Sequence, residues 1–430
     1  MAIALALPTP APATSPSSSG PAGPRPLPLR CKLCHTAHPA GASATCEECL
    51  GPLEPDYPAN RVLPDAATIA ARPGSLWRYR EWLPFEGQPT LSLDSGFTPL
   101  LEAPVLARSL GVARVWVKND AVSHPSLSFK DRVVATALNA ARGLGLDTVG
   151  CASTGNLANA VAAQAARAGL PAWIFIPHDL EVGKVVGTAV YHPHLVRVRG
   201  TYDDVNRLCS QVADRFGWGM VNINLRGYYG EGSKTMAFEI AEQLGWRMPA
   251  AVVAPMAGGS LLTKLEKGFR EFSEAGLVSG PAPRLYGAQA AGCAPIVDLV
   301  RTGGETIQPV IPRTIARSLA IGNPADGRFA AHAIRASGGW AAAAPDEEVV
   351  AGIRLLAEST GVFTETAGGA TLAGALRLAA EGHFRPADEV VICVTGNGLK
   401  TVEAVAGTLP DAPIIAPRIR DLEALYAGHL

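Results

Sequence analysis

Charged residues are scarce in this 430-residue chain: Asp, Glu, Lys and Arg make up 17% of it, and the formal net charge at pH 7 is -1. That balance supplies neither the basic surface that binds nucleic acid nor an acidic tail. Long apolar runs are missing too, because Arg, Asp, Gly or Pro interrupts each one before the roughly 18 uncharged residues that a membrane helix requires. Since hydrophobic residues make up 48%, we expect a soluble globular protein of about two to three domains.

The amino-terminal residues do not have the pattern of a secretory signal. Its first seven residues are apolar, but they have no basic start, and Pro8 ends them before the core of a signal peptide is complete. We therefore expect a cytoplasmic protein. Residues 8–28 are mostly Pro, Ala, Ser and Gly, which bury too little apolar surface to offset the entropy lost on ordering. We predict a disordered leader over residues 1–29.

Cysteine is sparse except in one short segment. The chain has eight cysteines, and four of them form two Cys-x2-Cys pairs, Cys31 with Cys34 and Cys46 with Cys49. Four thiolates at this spacing can converge as a tetrahedron, which suits Zn²⁺ and leaves no open position for catalysis. Two disulfides or four unliganded thiols are the alternatives, and the missing export signal favours zinc over both. We predict a zinc-ribbon over residues 30–56 with these cysteines as the metal ligands.

The charge of this segment argues against a finger that binds nucleic acid. One lysine is outweighed by four carboxylates between residues 31 and 56, and carboxylates repel phosphate. We therefore interpret the ribbon as a structural cap on a larger enzyme. His35 and His38 are interpreted as surface residues, because four cysteines already complete the metal shell.

From residue 114 onward, short β-branched runs alternate with longer segments of helical period. Such alternation predicts an α/β protein with parallel sheets covered on both faces by helices, in which ligands bind beyond the carboxyl ends of the strands. The predicted strands are residues 115–117, 148–151, 172–176, 195–198, 251–254, 285–288 and 390–394. The predicted helices are residues 131–142, 156–168, 203–216, 232–244 and 260–272.

Lys130 lies in the run His-Pro-Ser-Leu-Ser-Phe-Lys-Asp-Arg of residues 124–132. An amine that forms an imine with an aldehyde must lose its proton near neutral pH, and a lysine does so more readily beside apolar surface than in water. Phe129 can supply that surface. Lys130 is therefore the candidate nucleophile.

Asn156 follows a predicted strand and Gly155, so we expect its amide to project from a helix start toward a ligand. Ser153 and Thr154 precede it and offer hydroxyls and backbone N–H groups to a carboxylate. The alternative is an ordinary helix cap, in which these side chains bind neighbouring backbone groups. The position of the segment beyond Lys130 favours the ligand site.

A second loop, of residues Ala257, Gly258, Gly259, Ser260 and Leu261, also connects a predicted strand to a helix. Consecutive glycines let backbone N–H groups turn inward at the positive end of the helix, which makes an anion cradle. A Gly-Gly turn without a ligand is the alternative. The loop lacks the Gly-Lys-Ser/Thr of a P-loop and the three spaced glycines of a dinucleotide site.

Thr395 ends the last predicted strand and can present a hydroxyl to a pyridine nitrogen, although a strand-end turn built on Gly396 and Gly398 is the alternative. A hydroxyl there leaves the ring less strongly protonated than aspartate would, which favours elimination and addition over transamination. An amine, an anion cradle, an amide for the ring hydroxyl and a partner for the ring nitrogen are the parts that hold pyridoxal phosphate. We predict this cofactor.

Eight motifs follow one another along the chain: CEECLGPLE (46–54), SLWRYR (75–80), GFTPL (96–100), SFKDR (128–132), ASTGN (152–156), GSKT (232–235), IGNP (321–324) and VTGNGLK (394–400). In this order they resemble the pyridoxal-phosphate enzymes of the tryptophan synthase β-subunit class, and within them the threonine synthase family. The resemblance extends from the ribbon to about residue 405. It implies two three-layer parallel-sheet domains, a large one over residues 57–120 and 225–430 and a small one over residues 121–224.

The resemblance also implies a role for each candidate site residue. Lys130 would form a Schiff base with the cofactor beside Phe129, and Asn156 would contact the ring hydroxyl. The cradle of residues 257–261 would bind the cofactor phosphate, and Thr395 would face the ring nitrogen. For the substrate, the implied carboxylate ligands are Ser153 and Thr154, and the implied phosphate ligands are Lys234 and Arg226. For these last two, ordinary solvated helix surface is the alternative.

The implied reaction converts O-phospho-L-homoserine and water to L-threonine and phosphate by β,γ-elimination and β-addition, in a homodimer. Three positions depart from the family pattern: Leu127 replaces a frequent glycine, Leu157 replaces a frequent hydroxyl residue, and the cradle is Ala-Gly-Gly-Ser where Gly-Asn-Gly-Asn types occur. The last two border the expected place of the substrate phosphate. A β-elimination or β-replacement enzyme, such as a serine/threonine dehydratase or a cysteate synthase, is therefore a second hypothesis, and a non-catalytic zinc-binding module is a third.

Overall fold

The structure, a computed structural model, describes residues 23–91 and 93–427. Its strands are β1 Arg25–Pro26, β2 Leu29–Cys31, β3 Ala37–His38, β4 Leu53–Pro55, β5 Phe85–Glu86, β6 Leu100–Glu102, β7 Arg114–Asn119, β8 Val149–Ala152, β9 Ala172–Pro177, β10 His194–Val198, β11 Gly219–Met220, β12 Ala251–Pro255, β13 Arg284–Ala290, β14 Ala341–Ala344 and β15 Glu389–Val394.

The α-helices are α1 Ala66–Ala70, α2 Pro104–Leu110, α3 Lys130–Gly143, α4 Asn156–Ala168, α5 Val182–Ala189, α6 Tyr202–Phe216, α7 Arg226–Glu231, α8 Lys234–Gln243, α9 Ser260–Glu274, α10 Pro295–Thr302, α11 Gly327–Ala336, α12 Asp346–Thr360, α13 Thr366–Ala380, α14 Glu403–Ala406 and α15 Ile419–Ala427. Short 3₁₀ helices span Leu76–Trp82, Asp120–Val122, Arg317–Leu319 and Gly398–Lys400. All predicted strands and helices from residue 114 onward are confirmed, with ends within two residues of the prediction. No helix in the described part of the chain is long and apolar enough to cross a membrane.

The larger sheet has six strands in the order β14-β13-β12-β15-β7-β6. Five run parallel, and β6 pairs antiparallel with β7, which the alternation of elements did not predict. Successive side chains of β12 enter different cores, Val252 with Leu262 of α9 and Val253 with Leu372 of α13. Since successive strand residues point to opposite faces, helices cover both faces of this sheet, as predicted.

The smaller sheet has four parallel strands in the order β10-β9-β8-β11. Ile174 of β9 packs in the same core as Val161 of α4, whereas the next residue, Phe175, packs with Cys209 of α6. All four strands lie within residues 121–224, and all strands of the larger sheet lie outside that range. The division of the chain into two domains at these boundaries stays a prediction.

A buried ion-pair network positions the start of α3. The Arg132 guanidinium donates to Asp120 Oδ2 at 2.6 Å and to Glu239 Oε2 at 2.8 Å, and Lys118 Nζ lies 2.6 Å from the same Glu239 oxygen. All four side chains are fully buried. Because a buried charge is tolerated only when it is paired, this network fixes α3, whose first residue is Lys130, against β7 and α8.

The segment that carries the four ribbon cysteines forms an antiparallel sheet in the order β3-β2-β4. Residues 1–22 of the predicted leader lie outside the described residues, and the prediction is wrong for residues 25–29. Strand β1 pairs with β5, Leu27 and Leu29 are buried, and Tyr228 Oη donates to Leu27 O at 2.9 Å. The average composition of residues 8–28 is that of a disordered segment, but Leu27 near its end is buried against the rest of the chain.

Candidate active site

One cavity collects residues from the carboxyl ends of β8, β12 and β15 and from the first turns of α3, α4 and α9. It therefore lies where both sheets place their ligand-binding loops. The predicted site residues that line it are Phe129, Lys130, Ser153, Thr154, Asn156, Arg226, Ala257, Gly258, Gly259, Ser260, Leu261 and Thr395. Lys234 is the one predicted cofactor or substrate ligand that does not line this cavity.

Lys130 is the first residue of α3, and its Nζ is 5.2 Å from the centre of the Phe129 ring. Nζ donates a hydrogen bond to Tyr229 Oη at 3.1 Å. The backbone N–H of Phe129 donates to Thr395 O at 2.9 Å, which ties the lysine segment to the end of β15. Sequence reasoning missed Tyr229, because it belongs to the short helix α7, far from Lys130 in the chain.

The loop of residues 257–261 has the geometry of an anion cradle. Gly259 has a φ of +90°, which L side chains rarely adopt, and a β-carbon there would lie 3.0 Å from the backbone of Asp326. Helix α9 begins at the next residue, Ser260, so its unpaired N–H groups face the cavity. Asp326 N donates to Gly258 O at 2.9 Å and holds the loop from outside.

Asn156 begins α4, is 7% exposed, and is held on both sides of its amide. Nδ2 donates to Glu365 Oε1 at 2.7 Å, and Lys400 Nζ donates to Oδ1 at 3.1 Å. Burial lowers the pKa of Lys400 to about 8, against the attraction of Glu365 and Asp131. Neither Glu365 nor Lys400 was assigned a role from sequence, although Lys400 lies in a quoted motif.

Ser153 acts as a helix cap, which was the alternative interpretation of this segment. Its Oγ accepts hydrogen bonds from Gly155 N and Ala158 N, each at 2.9 Å. The hydroxyl hydrogen is left to donate, so capping and ligand binding are compatible. Thr154, beside it, is half-buried in the cavity wall.

Arg226 and Lys234 have different surroundings. Arg226 lines the cavity, and its Nη2 lies 2.6 Å from Asp326 Oδ2. Lys234 is fully buried, with Nζ 2.6 Å from Glu231 Oε2 and 2.9 Å from Glu271 Oε2. The prediction of Lys234 as a phosphate ligand is therefore wrong, because packing of α8 against α9 directs its ammonium to two carboxylates away from the cavity.

The residues of the cavity fit pyridoxal phosphate. A β-carbon at Gly259 would meet the loop that encloses the cradle, an amine stands beside an aromatic ring, and the Thr395 side chain lies at the end of β15. The buried Glu365 Oε2 has no hydrogen-bond partner in the part of the chain that the structure describes. A buried carboxylate oxygen without a partner in a cavity wall indicates a polar ligand.

The four ribbon cysteines converge, with ligand atoms all within 4.8 Å of one another. Cys31 Sγ is 3.4 Å from Cys49 Sγ, and Cys34 Sγ is 3.6 Å from Cys46 Sγ. Four sulfurs bound to one zinc at about 2.3 Å would be similarly close, so the set fits the metal. His38, which was interpreted as a surface residue, is half-buried, and its Nε2 lies 3.3 Å from Cys46 Sγ.

A family model of pyridoxal-phosphate dependent enzymes matches residues 91–396. The match covers more than half of the chain, which therefore belongs to the pyridoxal-phosphate-dependent enzymes. Among curated relatives, the chain is 36% identical to the threonine synthase of Methanocaldococcus jannaschii, over 84% of this chain and 89% of the relative. It is 34% identical to the threonine synthase of Methanosarcina acetivorans, over 89% and 94%, and 36% identical to that of Synechocystis, over 85% and 97%.

Solved structures confirm the fold class. An L-serine ammonia-lyase from the fungus Rhizomucor miehei superposes with a TM-score of 0.61 at 23% identity, covering 72% of this chain and 96% of that one. The processed form of threonine deaminase isoform 2 from Solanum lycopersicum superposes with a TM-score of 0.59 at 20% identity, covering 73% and 84%. At these identities the likeness concerns the fold alone.

Proposed function

We propose that this enzyme is a threonine synthase, which converts O-phospho-L-homoserine and water to L-threonine and phosphate. The observation that carries the proposal is one cavity that brings the Lys130 amine and the anion cradle together with a cation, Arg226. A phosphorylated amino acid needs a second anion site besides the one for the cofactor phosphate, and Arg226 supplies the charge for it. The curated threonine synthases at 34% to 36% identity support this assignment.

Each cofactor contact is assigned to a named group of the cavity. Lys130 Nζ would hold the cofactor aldehyde, the backbone N–H groups of residues 257–261 its phosphate, Asn156 its ring oxygen and Thr395 its ring nitrogen. When bound, pyridoxal phosphate withdraws electrons from the carbon atoms of the attached amino acid. Its ring nitrogen would face a neutral hydroxyl, which suits elimination and addition.

The chain's own residues then bind the substrate and move protons. Ser153 Oγ and Thr154 would donate to the substrate carboxylate, and Arg226 would bind the phosphate. Once the substrate amine has replaced it, Lys130 Nζ is free to take the α-proton and then a β-proton. Tyr229 Oη, 3.1 Å from Nζ, would orient the amine for these transfers. Release of the γ-phosphate, return of one proton to the γ-carbon and one to the α-carbon, and addition of water at the β-carbon then give L-threonine and phosphate.

We also propose a structural Zn²⁺ on Cys31, Cys34, Cys46 and Cys49. The convergence of the four sulfurs supports it, and so does the docking of the ribbon on the helix that starts at the cradle. A cytoplasmic homodimer completes the proposal. Exposed apolar side chains on α15, Ile419 and Tyr426, offer surface to a second copy, and light scattering of the purified chain tests the oligomeric state.

The test is incubation of the protein with O-phospho-L-homoserine, with phosphate and threonine measured on the same samples. We expect both products in equal amounts, and neither from Lys130→Ala. Release of ammonia and a keto acid from L-serine or L-threonine, without phosphate release from the phosphorylated substrate, would instead support a dehydratase. Absence of turnover with all three substrates would overturn both assignments.

A further inference from the structure

Two charged side chains that the proposed reaction does not use contact Asn156: Glu365 lines the cavity, and Lys400 lies against the amide. Glu365 is 1% exposed and precedes α13, and Lys400 is 9% exposed and ends the 3₁₀ helix Gly398–Lys400. They contact opposite ends of one amide: Glu365 Oε1 accepts from Asn156 Nδ2, and Lys400 Nζ donates to Asn156 Oδ1. A carboxylate, an amide and an ammonium are thus aligned in a buried row.

Only one orientation of the Asn156 amide satisfies both neighbours. A carboxylate accepts hydrogen bonds and does not donate them, whereas an ammonium donates and does not accept. Rotation of the amide by half a turn would set Oδ1 against the carboxylate and Nδ2 against the ammonium, with the loss of both hydrogen bonds. The amide has one further N–H, and in the observed orientation its direction is fixed as well.

A glycine and a hydrogen-bonded turn next to this row leave room for the three side chains to contact one another. A β-carbon at Gly396 would lie 2.4 Å from Glu365 Oε1 and 3.2 Å from Asn156 Nδ2, so only glycine leaves room for the carboxylate and the amide. Glu365 N donates to Gly396 O at 3.0 Å. The Asn397 side chain donates to Ala121 O at 3.0 Å and accepts from Leu399 N at 3.0 Å, which fixes the turn that carries Lys400.

We propose that Glu365 and Lys400 are positioning residues that orient and polarise the Asn156 amide, so that its second N–H donates to the ring oxygen of pyridoxal phosphate. Lys400 donates to Oδ1 and draws electron density toward it, which strengthens the N–H donors of the amide, whereas Glu365 accepts from one N–H and so fixes the direction of the other. Glu365 lines the cavity, and its second oxygen, Oε2, is buried without a hydrogen-bond partner among the described residues. This inference rests on the proposed placement of the cofactor on Lys130.

Lys400→Met is the main test, because methionine has a similar length and removes both the donor and the charge. We expect the cofactor-free protein to keep its Tm or to gain stability, since the variant no longer buries an ammonium. We expect the dissociation constant for pyridoxal 5′-phosphate to rise by about tenfold, as for a lost hydrogen bond to a charged group. The visible absorption band of the bound cofactor should weaken relative to its near-ultraviolet band, because the Asn156 N–H that donates to an anionic ring oxygen is no longer held and strengthened by Lys400.

Lys184→Met is the matched control. Lys184 is fully buried nearby, but its Nζ contacts Glu181 and not Asn156, so cofactor affinity and spectrum should match those of the unchanged protein. Lys400→Arg, which keeps a charged donor, should restore part of the affinity. Glu365→Leu should repeat the spectral effect independently, and Glu365→Gln, which keeps an acceptor for Nδ2, should largely restore the band.

The outcomes separate this inference from the proposed function. If the unchanged protein binds the cofactor and Lys400→Met and Glu365→Leu both bind it with unaltered affinity and spectrum, the positioning role is refuted. An equal change in Lys184→Met would also refute it, because the effect would then follow from removing any buried charge there. If the unchanged protein binds no pyridoxal phosphate, the proposed function itself fails.

Discussion

Arg226 Nη2 lies 2.6 Å from Asp326 Oδ2, and this ion pair joins two segments that border the cavity. Arg226 begins α7, whereas Asp326 precedes α11 and donates its backbone N–H to Gly258 of the cradle. Burial disfavours the charged guanidinium, but Asp326 outweighs it and raises the pKa of Arg226. The guanidinium is therefore charged and oriented, with further N–H groups left for a phosphate.

Arg226→Met should raise the KM for O-phospho-L-homoserine by about tenfold or more, because a charge-assisted contact to the phosphate is lost. Cofactor affinity should be unchanged, since Arg226 is assigned to the substrate. Steady-state kinetics and a cofactor titration measure the two quantities. Arg301→Met is the control, because Arg301 of α10 forms an exposed pair with Glu381 and does not line the cavity. An unaltered KM in Arg226→Met would remove Arg226 from the substrate site.

Arg132→Met should lower the free energy of unfolding by about 3–5 kcal/mol, because it leaves the buried carboxylates of Asp120 and Glu239 with incomplete pairing. Urea denaturation monitored by circular dichroism measures the change. Arg207→Met breaks the exposed pair with Asp204 and should cost at most about 1 kcal/mol. Equal effects of the two substitutions would show that the Arg132 network does not stabilise α3.

Removal of the Zn²⁺ proposed for the ribbon should destabilise the main body as well as the ribbon. Glu54 of β4 accepts from Lys264 Nζ at 2.8 Å and Lys267 Nζ at 3.2 Å, and both lysines belong to α9, the helix that starts at the cradle. We expect about one zinc per chain by elemental analysis. Chelation or Cys46→Ser should lower the Tm and weaken cofactor binding. A chelated protein with full zinc loss, unchanged Tm and unchanged cofactor affinity would contradict the coupling.

The buried Lys400 predicts a specific pH dependence. Its pKa is lowered chiefly by burial to about 8 from an ordinary 10.5, so the unfolded chain binds the extra proton between these values. The unfolding free energy of the unchanged protein should therefore rise with pH in that window, by about 1.4 kcal/mol per pH unit at most, relative to Lys400→Met. Urea unfolding at pH 8 and pH 9.5 measures the difference. Parallel pH profiles of the two proteins would show that Lys400 does not titrate in this way.

The sequence predicted the α/β body well because its signals are local. Most long strands contain a short apolar run, and each of the loops after β8, β12 and β15 has a Ser, Thr or Gly residue within three residues of the strand end. Strand β14 was missed because it consists of four alanines, which have no strand preference. Leu127, noted as an unusual replacement for glycine, does adopt a φ of +59°, a region that favours glycine.

The errors concern contacts between residues far apart in the chain. Lys234 pairs with Glu231, three residues before it, but nothing near it in sequence reveals its second partner, Glu271 on α9. Tyr229, Glu365 and Lys400 likewise reach the site only through tertiary packing. Ser153 caps α4 and also lines the cavity, so a capping role and a ligand-binding role for this residue are compatible.

The most direct test is to identify the lysine that holds the cofactor. The full chain is loaded with pyridoxal 5′-phosphate, reduced with borohydride, digested and mapped by mass spectrometry. We expect a single reduced pyridoxyl adduct, on Lys130, that is absent in Lys130→Ala. An adduct on another lysine, or none in protein that has been supplied with the cofactor, would contradict this expectation.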